Sequence, residues 1–203
     1  MTTYRYYGIY RGVRNSSWSC LLEFNVNKLP VDVLSIARAA EIRVIKNSSV
    51  DSLLPGETGK SYSDGQHWVI IYDDKASTET ARFTVAHELG HVFLGHELKT
   101  SKHSHLKEVK HTSKSEQEAD SFALRLLCPA CAIWGLGLTD AGEISSYCYV
   151  DKDVASKRAQ RMTLLYERNK FLSSPLERKV YGLFEPFILE LKQKSTVENN
   201  IKG

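Results

Sequence analysis

Two periods of hydrophobic and polar positions run along this chain, and the switches between them mark its elements. Between residues 10 and 24, Val13, Leu21, Leu22 and Phe24 form an irregular pattern compatible with a helix. Pro30 opens a clearer one, in which Val31, Leu34, Ile36, Ala37 and Ala40 predict a helix with one buried face and proline in its first turn. Ile42-Arg43-Val44-Ile45 alternates as a strand does. Residues 47–65 are rich in Ser, Gly and Asp and read mostly as loop. Asp64-Gly65 is a hairpin-turn signal, and Trp68-Val69-Ile70-Ile71-Tyr72 behind it is the strongest strand pattern, ended by Asp73-Asp74.

The strongest helix comes next. Ser77 or Thr78 can cap it, Glu79 favours its positive end, residues 81–94 fill it, and Gly95 is suited to stop it. A polar, basic loop is expected over 99–114, then a helix over 116–127 closed by Pro129. Two further helical patterns cover 152–168 and 176–191, the second bent at Pro186, before a frayed tail from Ser195. There is no internal repeat. A few strands among many helices predict an α+β domain.

Composition narrows the function only a little. The 203 residues suit one domain, and 27 Lys plus Arg against 24 Asp plus Glu leave a net charge of +3. That is far from the dense basic stripe of a dedicated nucleic-acid binder, so no direct nucleic-acid binding is expected. The first residues lack the apolar core of a signal peptide, since Arg5, Arg11 and Arg14 interrupt it. No apolar run approaches the ~20 residues that span a bilayer, so no membrane is expected. The expectation is a cytoplasmic protein whose four cysteines are reduced thiols.

The chemistry gathers at His87-Glu88-Leu89-Gly90-His91. Two histidines four apart on a helix lie within ~40° of each other around the axis, so both imidazoles can reach one ion. Zinc suits them, because it accepts nitrogen ligands in a tetrahedral site. Glu88 projects beside that ion, where it can take a proton from the attacking water and pass it to a leaving amine. This is the H-E-x-x-H arrangement of metallopeptidases. Two ordinary helix histidines are the alternative, but that reading explains neither the adjoining glutamate nor the acidic helix downstream.

A catalytic zinc site needs a third protein ligand. A third histidine in the metzincin pattern is excluded: the equivalent positions are Leu94 and Glu97, and on a continuing helix His96 stands half a turn from His87. The acidic helix offers Glu116 and Asp120, four apart on one face, so that one can bind the metal while the other orients a ligand histidine. Glu116 is the preferred ligand and Asp120 the preferred partner of a histidine. Glu118 is the fallback, although it can instead form a capping box with Ser115. His103, His105 and His111 in the basic loop are a third source, set against a plainly solvated loop.

With these residues in view, the chain resembles the ImmA/IrrE family of metallo-endopeptidases. The resemblance rests on residues 29–32 (Leu-Pro-Val-Asp), 82–91 (Arg-Phe-Thr-Val-Ala-His-Glu-Leu-Gly-His) and 118–127 (Glu-Ala-Asp-Ser-Phe-Ala-Leu-Arg-Leu-Leu), with a weaker match from Asp153 to Arg158. It departs at Cys128-Pro129, where the family usually has Met-Pro, and no appended helix-turn-helix segment follows. The resemblance implies a zincin-like core over 28–168, with 1–27 as an extension packing on it and 169–203 as a C-terminal helix and tail. It implies two histidines and a downstream glutamate on zinc. It also implies a cytoplasmic peptidase that cuts a helix-turn-helix repressor or similar regulator.

Under that reading zinc polarises the scissile carbonyl and Glu88 moves the proton, with Tyr147, Tyr149 or His111 as donors to the developing oxyanion. The rival is a zinc-dependent regulatory protein that displaces a repressor without cutting it. Three other signals carry less. Pro55-Gly56-Glu57-Thr58-Gly59-Lys60-Ser61 ends like a phosphate-binding loop but has Leu54 where a glycine is needed. Cys128, Cys131 and Cys148 suit buried, inert thiols better than a redox pair or second zinc site. The aromatic residues between Tyr4 and Trp18 can face a partner or cover the core.

Overall fold

The computed structural model describes residues 7–9, 12–100 and 107–202. Two compact units make up the chain: residues 1–17 with 32–124, and residues 18–31 with 125–203.

The first unit holds the sheet. Its strands are β1 (Ile42–Lys46), β2 (Gly59–Ser63), β3 (Trp68–Tyr72), β4 (Leu98–Thr100) and β5 (Lys107–Val109), in the spatial order β1-β3-β2-β5-β4. β1 and β3 run parallel, with Val44 opposite Ile70, and the remaining pairs are antiparallel. Ile70 and Ile71 are fully or almost fully buried at the centre. Helix α2 (Val33–Ala39) precedes β1, and its cap is Asp32, whose carboxylate accepts the amides of Leu34 and Ser35. Pro30 therefore lies outside the helix rather than in its first turn.

Two segments expected as loop are strand. β2 escapes the hydrophobic pattern because its inward residues are Ser61 and Ser63, both buried, rather than large apolar ones. It also makes the Pro55–Ser61 stretch a turn feeding a strand, the wrong context for a phosphate-binding loop. β4 and β5 occupy part of the expected basic loop as an antiparallel pair. They are three-residue strands, too short to show a period.

Helix α3 (Thr78–Leu94) crosses the first unit and carries the H-E-x-x-H residues. Ser77 caps its start and Gly95, at φ 71°, ends it in the left-handed conformation. Its buried face includes Val85, Ala86, Leu89, Val92 and Phe93. Helix α4 (Ser113–Leu127) starts three residues earlier than its pattern indicates, and within the first unit Phe122 meets Phe93 edge to face with centroids 6.0 Å apart. Gly90 permits that approach: a Cβ there would stand 3.2 Å from Ala119 Cα and from the Phe122 ring. Residues 113–136 are long and apolar enough to cross a membrane by length and composition alone, and most of their apolar stretch is buried within the protein, as in core helices.

The second unit is helical. α5 (Ala130–Leu136) and α6 (Ala141–Cys148) have no counterpart in the hydrophobic pattern, being only 7 and 8 residues long. α7 (Lys152–Glu167) and α8 (Pro175–Lys202) follow, and the backbone of α8 stays helical past Pro186 and through the expected tail. Leu21, Ile133, Ile144, Met162 and Phe184 are buried in this unit. Trp134 stacks on Phe171, with ring centroids 5.4 Å apart. Cys20, Cys128, Cys131 and Cys148 are all buried and outside any disulfide. Burial and the nearby Glu177 carboxylate push Cys131 up to about 12, so it is inert near neutral pH.

Candidate metal centre

His87 and His91 lie in successive turns of α3, the third and fourth, and their rings meet on the side of the helix that Glu116 of α4 reaches. His87 Nε2 and His91 Nε2 are 2.9 Å apart. Glu116, in the first turn of α4, reaches the same point, with Oε2 3.3 Å from His87 Nε2 and Oε1 3.3 Å from His91 Nε2. Asp120, one turn further along α4, places Oδ1 2.9 Å from His87 Nδ1. Glu118 turns away from this pair and lies with Oε2 3.2 Å from His96 Nε2. It makes no capping box with Ser115, whose hydroxyl instead accepts the Thr112 amide.

This donor set fits a metal ion. Ligands held ~2.0–2.1 Å from a tetrahedral centre stand about 3.3 Å from one another; here the two Nε2 atoms are 2.9 Å apart and each has one Glu116 oxygen at 3.3 Å, Oε2 for His87 and Oε1 for His91. Each imidazole also uses Nδ1 elsewhere, His87 toward Asp120 and His91 toward His96. With the protons on Nδ1, two Nε2 lone pairs and a carboxylate converge on one point, a concentration of negative potential that a cation relieves.

Titration follows the same layout. Burial lowers the pKa of His87, but the Asp120 hydrogen bond and the charges of Glu88, Asp120 and Glu116 outweigh it and leave the group raised. His91, with no exposed side chain and no carboxylate among the groups that shift it, is pulled to about 2 by burial and by the neighbouring histidines. Such a ring stays neutral and available as a ligand.

Glu88 lies on the buried side of α3, 2% exposed. Gly59 of β2 lies beside it: a Cβ there would be in ordinary contact with Glu88 Cγ at 3.5 Å but would stand only 2.4 Å from the Thr84 methyl, so glycine lets β2 approach this part of α3. Oε2 has no hydrogen-bond partner among the described residues. Ser61 Oγ, outside ordinary hydrogen-bond geometry, nonetheless favours the charged form. Burial dominates and raises the carboxyl, opposed by His87. A carboxylate held dry and proton-hungry next to a metal-ligand cluster has the character of a general base.

Of the remaining candidates, His111 joins the cluster, its Nδ1 2.7 Å from Glu116 Oε1 and its ring 5.1 Å from that of His91. His103 and His105 lie outside the described residues. Tyr147 and Tyr149 belong to the second unit and are exposed. Tyr7 stacks on Trp68 at 5.4 Å, while Tyr4, Tyr6 and Tyr10 lie outside the described residues.

His96 is the residue whose part the sequence pattern hides. Treating α3 as continuous places it away from the histidine pair. Gly95 ends the helix, and in the resulting turn the His96 amide donates to the His91 carbonyl at 3.1 Å. The ring comes to His91 Nδ1, the nitrogen facing away from His87, rather than to the ligand edge.

A mixed sheet backed by a helix bearing H-E-x-x-H, with a glutamate delivered by the next helix, is the construction of a zincin-like metallopeptidase core. The family model of the IrrE N-terminal-like domain, a peptidase family, matches residues 37–160, more than half the chain. The chain therefore belongs to the IrrE N-terminal-like family of metallopeptidases. No curated protein matches it.

Proposed function

We infer that the protein is a zinc-dependent endopeptidase that hydrolyses a peptide bond in a cytoplasmic protein, with a helix-turn-helix transcriptional repressor as the favoured substrate. The observation that carries the reading is the triangle of His87 Nε2, His91 Nε2 and Glu116 carboxylate beside the buried carboxylate of Glu88. Two nitrogens and one oxygen in that arrangement favour zinc over the hard cations, which prefer oxygen. His87, His91 and Glu116 would hold it, leaving a position open for substrate or water.

A bound zinc supplies Lewis acidity toward the scissile carbonyl and the attacking water. The protein's own residues do the rest. Glu88, its proton affinity raised by burial, takes the proton from the attacking water and delivers it to the departing amine. Asp120 keeps the His87 proton on Nδ1, so that Nε2 faces the metal. His111, which lies at the open edge beside Glu116, is the candidate hydrogen-bond donor to the oxyanion. The helix-turn-helix repressor and the cytoplasmic setting rest on the family resemblance.

The test uses the full chain with candidate helix-turn-helix repressors from the same source as substrates. Wild type loaded with zinc should cleave its substrate among them. Glu88→Gln should retain zinc and lose cleavage by roughly 100-fold or more, the scale of general-base catalysis. Release of the repressor from its operator by Glu88→Gln, with no fragments formed by either protein, would establish the displacement reading instead.

A further inference from the structure

His91 and His96 face each other through the same ring atom, Nδ1 to Nδ1 at 2.7 Å, and His96 Nε2 lies 3.2 Å from Glu118 Oε2. Only a limited set of proton placements satisfies this line. A ligand at His91 Nε2 requires the proton of that ring on Nδ1, where it donates to His96 Nδ1. His96 then carries its own proton on Nε2 and donates it to the Glu118 carboxylate. Every hydrogen bond in the row is then made, and the His91 Nε2 lone pair is left facing His87 Nε2 and the Glu116 carboxylate.

The backbone holds this row as firmly as the side chains do. His96 is 8% exposed. The Tyr7 hydroxyl donates to its carbonyl at 2.6 Å, and the Gly8 amide donates to the Val92 carbonyl at 3.0 Å. Gly8 and Gly95 touch closely: a Cβ on Gly95 would stand 2.8 Å from Gly8 Cα. The segment at Tyr7 and Gly8 thus clamps the turn that presents His96.

We propose that His96, backed by Glu118, is a positioning residue of the metal centre that fixes the tautomer and ring orientation of His91 and thereby sets metal affinity. His87 has a carboxylate directly behind it, and His91 has one at the far end of a second imidazole. Two residues of α4 turn about 200° around its axis, so when Glu116 faces the histidine pair Glu118 is directed elsewhere, and it meets His96. The proposal rests on the zinc reading above.

Zinc itself is the probe, with affinity read by competition against a chromophoric chelator on the full-length protein. His96→Leu should weaken binding about 10–100-fold, the usual cost of losing a hydrogen bond behind a ligand histidine. His96→Asn should recover most of that loss, because its Oδ1 stands near the Nδ1 position and still accepts from His91. Glu118→Ala, at a partly exposed position, should weaken zinc binding by several-fold with the metal-free protein still folded. A wild type that binds one zinc tightly, with His96→Leu or Glu118→Ala binding it equally well, would overturn this proposal and leave the zinc reading standing. Equal weakening in His96→Leu and His96→Asn would reduce His96 to packing and also overturn it. A wild type that binds no zinc would overturn both.

Discussion

Asp120 Oδ1 stands 2.9 Å from His87 Nδ1 across a separation of 33 residues, and the contact joins the helix that carries the motif to the helix that completes the site. The carboxylate raises the basicity of the ring and directs its Nε2 lone pair toward His91 and Glu116. Asp120→Ala should therefore lower zinc affinity about 10–100-fold. Asp120→Asn should lose less, because the amide oxygen still accepts from Nδ1. Chelator competition on both variants measures the difference.

Glu116 and Glu118 lie in the same turns of α4 but serve different neighbours. Glu116 lies 3.3 Å from both ligand nitrogens, whereas Glu118 pairs with His96 and, at 3.9 Å, with Lys114. On the zinc reading, removing the first would take away a ligand, and removing the second only a distant support of His91. Glu116→Ala should strip the protein of zinc under dialysis that leaves Glu118→Ala mostly loaded, as elemental analysis would show. The opposite order would move the ligand assignment.

Gly90 sets how closely α3 and α4 approach. An alanine Cβ would press on the Ala119 backbone and the Phe122 ring at 3.2 Å, and the backbone has little room to give. Gly90→Ala should cost about 1–3 kcal/mol in urea unfolding, as overpacked cores do. It should weaken zinc binding too, because the same contact sets how near Glu116 comes to the histidines.

The metal-free protein should lose stability in mild acid. His91 takes a proton at about 2 in the folded state but near 6.5 when unfolded, so below pH 6.5 the unfolded chain binds more protons. That loss amounts to about 1.4 kcal/mol per pH unit, and His96, also lowered chiefly by burial, adds to it. His87 opposes it, since its raised pKa favours the folded state in acid and that benefit fades as pH rises through the folded value. Glu88 opposes it too, because burial raises its carboxyl in the folded state, so the His91 contribution is read as the difference between wild type and His91→Leu. Urea unfolding of metal-free protein at pH 7.5 and 5.5 should show the fall, and His91→Leu should flatten it.

Local chemistry along the chain determined α3, its Ser77 cap, its Gly95 stop and the convergence of His87 and His91, because a four-residue step on a helix is set by the backbone alone. It also determined that Glu116 and Asp120 share a face and that β3 is a buried strand. Other features depend on distant partners. β2 is a strand only because its buried serines pair with β3, and β4 and β5 are too short to show a period without each other. Which of Glu116 and Glu118 faces the histidines is decided by the rotation of α4 against α3, which Gly90, Ala119 and Phe122 set by contact. His96 shows the boundary between the two most sharply. The glycine that turns it was legible, but its place behind His91 depends on a folded turn, the contacts of Tyr7 and Gly8, and a glutamate 22 residues away. Period reports what lies along one element; the geometry between elements exists only once they have packed.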